Sequence, residues 1–77
     1  MNKQRRDRLN KLLETLAGAE EELQAIMDEE QEALDNMPES IQGSERGETM
    51  EEGIGTMEEA LDSIQTIQEQ LEEVAEQ

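Results

Sequence analysis

Carboxylates are the only abundant reactive side chains in this chain: 22 of its 77 residues are Asp or Glu, six are Lys or Arg, and there is no His and no Cys. A disulfide, a thiolate or imidazole metal site, a Ser-His-Asp triad and a Cys-His pair are excluded, because each needs a residue the chain lacks. The run Asp28-Glu29-Glu30-Gln31-Glu32 has neither the alternating ligands nor the central Gly of a calcium loop. The Glu-x-x-His pairs of di-iron bundles cannot be built without His. No catalytic residue, metal or cofactor is expected, and the chain is not expected to be an enzyme.

The remaining chemistry is charge recognition. The formal net charge is −16, which disfavours direct binding to nucleic acid or to an anionic membrane and favours a basic partner. The carboxylates recur at helical spacing: Glu14, Glu21, Asp28 and Asp35 form one row, and Glu51, Glu52, Glu58, Glu59, Asp62, Glu69, Glu72 and Glu73 form a broader band. On a helix, residues three and four apart sit about 5 to 6 Å from each other, close to the spacing of backbone phosphates. Two readings follow. The rows are a solvated face, or they imitate DNA charge and occupy the DNA-binding groove of another protein.

Such rows need long helices to carry them, and the apolar residues supply the pattern. On a seven-residue repeat, Leu9, Leu16, Leu23 and Met37 take position a, Leu12, Ala19, Ile26 and Ala33 take d, and Leu13, Met27 and Leu34 take e. In the second half, Met50, Met57, Ile64 and Leu71 take a, Gly53, Ala60, Ile67 and Val74 take d, and Ile54, Leu61 and Ala75 take e. Of the 19 Leu, Ile, Val and Met residues, 17 fall on these three positions, where random placement would put roughly 8. Low hydrophobicity and high charge resemble the composition of disordered chains, but this periodicity predicts helix. Pro38 biases Met37 away from helical geometry, Gly43 permits a turn, and Ser44 can cap a new helix with Glu45 and Glu48 near its positive end.

The expected fold is therefore all-α: one domain over residues 1–77, with a helix over about 3–36, a loop over about 37–44 and a helix over about 45–75. A 34-residue helix at about 1.5 Å per residue makes a rod near 50 Å long. A loop this short makes the helices antiparallel neighbours. If a and d positions face each other, one register fits throughout, pairing Leu9 with Val74, Leu12 with Leu71, Leu16 with Ile67, Leu23 with Ala60, Ile26 with Met57 and Glu30 with Gly53. In that arrangement Gly53 makes room for the Glu30 carboxylate. The basic cluster Lys3, Arg5, Arg6, Arg8 and Lys11 lies beside Glu69, Glu72, Glu73 and Glu76 and is expected to staple the chain ends. Gly53 and Gly55 should each cost about 1 kcal/mol against Ala inside a helix.

With 32% hydrophobic residues and no aromatics, a lone hairpin has little to bury. The e residues Leu13, Met27 and Leu61 widen the stripe from a two-stranded seam to the face of a bundle. The flanks Thr49, Thr56, Ser63, Gln70 and Gln77, and Asn10, Ala17, Gln24 and Gln31, are unusually free of charge. A homodimer forming a four-helix bundle is expected, with core or dimer contacts from Leu9, Leu12, Leu13, Leu16, Leu23, Ile26, Met27, Met57, Leu61, Ile64, Ile67, Leu71 and Val74. At the tip, Glu39, Ile41 and Arg46 either close the end of the core, with Arg46 paired to a nearby Glu, or form a binding epitope. No apolar stretch of about 7 to 15 residues follows Met1-Asn2-Lys3-Gln4-Arg5-Arg6, and none reaches the roughly 20 of a membrane span. A cytoplasmic protein is expected.

The stretch from Asp28 to Gln42, followed by Ser44-Glu45-Arg46-Gly47-Glu48 and Glu51-Glu52, resembles a family of short acidic helical proteins encoded by bacteriophages and prophages. The resemblance covers about half the chain, roughly residues 28 to 62, and its most specific part is Asp35-Asn36-Met37-Pro38-Glu39-Ser40. The chain departs from the family at Gly53 and Gly55, where Ala-like residues are the pattern. The resemblance implies phage origin and a helical hairpin, and no particular activity. It favours a protein that binds and blocks a host defence or other nucleic-acid-handling protein inside the bacterial cell. The alternative is a phage structural, assembly or adaptor role through helix packing.

Overall fold

A computed structural model describes residues 1–77. Helix α1 runs Lys3–Asp35, a single helical turn α2 runs Glu39–Gln42, and α3 runs Glu45–Ala75. The two long helices pack against each other as a hairpin, giving a rod of 59 × 15 × 12 Å. No helix is long and apolar enough to cross a membrane.

Each long helix opens on a side-chain cap that satisfies one of its free amide donors. The Arg5 backbone N–H donates to the Asn2 side-chain oxygen at 2.8 Å, and the Gly47 N–H donates to the Ser44 hydroxyl. The turn between them is more ordered than the expected loop. Pro38 accepts from the backbone N–H groups of Ile41 at 2.8 Å and Gln42 at 3.0 Å, which closes α2. The Gln42 side-chain amide then donates to the carbonyls of Leu34 at 3.2 Å and Met37 at 2.9 Å. The Leu34 carbonyl also accepts from the Met37 backbone N–H at 3.1 Å, so the Gln42 amide adds a second bond at the end of α1 and ties the tip to it.

Glycine matters here at a different residue from the one expected. Gly43 has φ −84° and ψ 4°, and no residue has positive φ, so the turn does not use its conformational freedom. Gly47 is buried, and a Cβ there would run into the Gln42 carbonyl, lying 2.6 Å from its carbon and 2.9 Å from the Ile41 oxygen. The first turn of α3 can pass this close to α2 only because residue 47 has no side chain.

The seam between α1 and α3 is formed by a and e positions, not by a and d. Leu34 at 6% exposure and Leu61 at 7% are the most buried side chains, and both are e residues. Leu9, Leu13, Leu16, Leu23, Met27, Met57, Ile64 and Leu71 are half-buried along the same line. The d residues Leu12, Ile26 and Ile67 stand 48%, 45% and 43% exposed, Ala19, Ala33, Gly53 and Ala60 are exposed, and only Val74 of that row is half-buried. The register expected from a–d pairing is thus corrected to an a–e seam. An apolar stripe three positions wide offers two possible seams. The e rows carry Leu13, Met27, Leu34, Ile54 and Leu61, whereas half of the d positions are Ala or Gly, so the e side removes more apolar area from water.

Two local expectations change with it. Gly53 is exposed with nothing within 4 Å of a built Cβ, so it does not make room for Glu30. The basic cluster is not an ionic staple, because the sole ion pair is Lys3–Asp7 at 2.8 Å. Arg6 instead donates through Nη2 to the Gln77 carbonyl at 2.6 Å and the Met1 carbonyl at 3.1 Å. Arg5 and Arg8 lie at d and g positions, while Glu69, Glu72, Glu73 and Glu76 occupy b, c and f, on other sides of the rod.

Candidate protein-binding faces

Two antiparallel helices that meet along a and e leave their d rows together on one side of the hairpin and their b rows together on the other. Shared surface features fix this. An open groove of about 520 Å³ near the chain termini is lined by Arg5 and Leu12 of α1 and Val74 of α3, all d residues, with Met1, Arg8, Leu9 and Leu71. A second groove of about 260 Å³ on the opposite side is lined by Gln24 and Gln65, both b residues, with Glu20 and Glu21.

The acidic side is built from the rows singled out in the sequence. Glu14, Glu21, Asp28 and Asp35 are exposed along α1, and Glu51, Glu52, Glu58, Glu59 and Asp62 are exposed along α3. No three of the carboxylates converge as metal ligands would. Stiff helices hold the rows at fixed spacing over the length of the rod.

The d side is the opposite in character. Besides Leu12, Ile26 and Ile67 it bears the g residues of both helices, and of the chain's 22 carboxylates only Glu22 and Glu29 lie on these two rows. They balance Arg5 and Arg8, and Arg46 at the tip end of the α3 d row adds a single positive charge, so this face is nearly neutral on a molecule of net charge −16. Its hydroxyls are already satisfied within their own helices: Thr49 donates to the Glu45 carbonyl at 2.9 Å, Thr56 to Glu52 at 3.0 Å and Ser63 to Glu59 at 3.1 Å. Such groups can be covered without leaving a donor unpaired.

The tip closes one end of the rod, and of its residues only Arg46 continues the d row. Glu39, Arg46 and Ile41, the last 39% exposed, all reach solvent, and Arg46 forms no ion pair. Ile41 therefore does not close the end of the core. Sequence reasoning missed Gln42, Asn2 and the close approach at Gly47. Asn2 is the one with a local signal, a capping residue type directly before the helix.

These features define the class: a helical hairpin with one acidic side and one nearly neutral apolar side. Comparison of the chain with protein-family models, with curated proteins and with solved structures returns no match.

Proposed function

We propose that this chain is an acidic protein-binding rod that self-associates as a homodimeric four-helix bundle and uses its outward carboxylates to occupy the DNA-binding surface of a basic host protein, inhibiting it. The observation that carries this reading is the segregation of charge, since 20 of 22 carboxylates lie outside the d and g rows. The carboxylates are thereby gathered on the outward rows, where a basic partner can reach them. The rod's net charge of −16 along 59 Å is one charge per about 3.7 Å, against one per about 1.7 Å of axis for duplex DNA and 3.4 Å for one strand. Its place of action would be the cytoplasm of the bacterial host. Membrane and direct nucleic-acid partners are disfavoured by the same charge.

The test is an affinity capture from bacterial host lysate with the tagged chain, at low and high salt, with and without competing duplex DNA, beside a variant carrying E51Q, E52Q, E58Q and E59Q. Charge imitation predicts a DNA-handling protein that is released by salt, displaced by DNA and not retained by the variant. A partner indifferent to all three would refute it. It would favour the second reading, an assembly or adaptor role through helix packing, which the exposed Leu12, Ile26 and Ile67 support.

A further inference from the structure

The hairpin leaves an unusual amount of itself in water. Only 3 of 77 residues are buried, and the accessible surface is 5795 Å², about 1,000 Å² more than the roughly 4,800 Å² that surface scaling gives a compact chain of 8.8 kDa. A side of the rod measuring 59 by 15 Å has a footprint of about 900 Å². Two such sides brought together would bury surface on the scale of a standard stable interface, about 1,600 ± 400 Å².

Resting on the homodimer reading above, we propose that the d and g face is the contact, and that two copies stack on it antiparallel about a two-fold axis passing beside Ala19. Like-charged molecules can meet only where charge is absent or balanced, and this is the one side that qualifies. Along α1 the order is basic, then apolar, then acidic: Arg5 and Arg8, then Leu12 to Ala19, then Glu22 and Glu29. Reversal about Ala19 sets Leu12 against Ile26 of the second copy, and Arg8 about one residue from the level of its Glu29. On α3 the same reversal, centred between Ala60 and Ile67, sets Ala60 against Ile67 and Gly53 against Val74, so each small residue meets a large one. It also sets Ser63 near Ser63 and Thr56 near Gln70, with no like charges facing.

The two centres lie at nearly the same level of the hairpin. Glu20 and Gln65 line one groove, Leu12 and Leu71 the other, and Arg6 bonds Gln77, so the level of Ala19 on α1 falls within about two residues of the α3 centre. Parallel stacking would instead set Leu12 against Val74 at one end and Ala33 against Gly53 at the other. It would crowd one end and leave the other under-filled, which native packing density does not tolerate.

The test combines sedimentation equilibrium with cysteine trapping on the full chain. The native chain should sediment at twice 8.8 kDa at micromolar concentration, and the L12E/I67E double variant should fall to one copy. A Q24E/Q65E variant on the opposite side should keep the dimer. Because the chain has no other Cys, A19C should oxidise to a covalent dimer, which requires Cα atoms within about 4.4 to 6.8 Å, and this holds even if L12E/I67E fails to fold. A native chain that stays at 8.8 kDa at every concentration would remove the homodimer reading and this inference together. A dimer that survives L12E/I67E and is not trapped by A19C would overturn the face and leave the homodimer standing. A dimer lost in L12E/I67E but untrapped by A19C would overturn the antiparallel pairing.

Discussion

Adding one methyl group to α3 should have opposite effects eight residues apart. At Gly55 nothing lies within 4 Å of a built Cβ, so G55A trades only the conformational entropy of glycine for the helix propensity of alanine, a gain of about 1 kcal/mol. For a chain of this size that raises the melting temperature by about 4 to 8 °C. At Gly47 the same propensity gain is set against a clash with the Gln42 and Ile41 carbonyls. Those groups belong to the backbone of the tip, and it cannot move without breaking the bonds Gln42 makes to Leu34 and Met37. Overpacking of this kind costs about 1 to 3 kcal/mol, and lost hydrogen bonds about 1 kcal/mol each. The net effect of G47A is a loss of about 1 to 3 kcal/mol. Thermal melts followed by circular dichroism at 222 nm measure both, at one fixed protein concentration because association shifts the midpoint. A G47A chain that melts at or above the native temperature would refute the close packing of α3 on α2.

Gln42→Ala should lose about 1 to 2 kcal/mol in denaturant titration by removing the bonds to the Leu34 and Met37 carbonyls, and Gln42→Glu should not rescue it, since a carboxylate has no proton to donate. Leu34→Ala and Leu61→Ala should each cost about 2 to 5 kcal/mol, and a loss below 1 kcal/mol for both would displace the seam from the a and e rows. Asn2→Ala should lower stability by about 1 kcal/mol through the missing cap, with Asn2→Ser close to native. Raising salt from low to physiological strength should tighten the proposed dimer in sedimentation, because screening the repulsion between two copies of net charge −16 outweighs the weakened Arg8–Glu29 attraction.

The helices, their polarity and the start of α3 at Ser44 were legible because they rest on local signals: periodicity, a proline and a capping residue. The choice of seam was not. Positions d, a and e are all apolar, and periodicity alone does not say which two of three adjacent rows will meet, a choice that depends on summed side-chain volume across both helices. Opposite charges at the same end of the hairpin misled at the termini, because Arg5 and Arg8 project to a different side from Glu72 and Glu73. Gly53 looked like room for Glu30 only within the a–d register. Gln42 carries no sequence signal for its role, since a glutamine amide reaches back eight residues only once the turn has formed. The acidic rows were legible residue by residue, but their absence from one side emerges only when both helices are aligned.

Charge segregation and the proposed self-association bear on each other through charge density. One copy presents a net charge per about 3.7 Å of rod, which falls short of duplex DNA at one per about 1.7 Å. Two copies stacked over the same length double it to one per about 1.8 Å. Antiparallel stacking also places acidic rows on both outer sides with no weakly charged end, because the basic termini of one copy lie against the acidic half of the other. It follows that L12E/I67E, although two charges more negative, should bind a polycation less well than the native chain. With a defined oligolysine as probe, the slope of log K against log salt reports the counterions released. The native chain should show the steeper slope and the variant the shallower one. Binding that instead strengthens in the variant would mean that total charge governs recognition, and that the dimer contributes nothing to it.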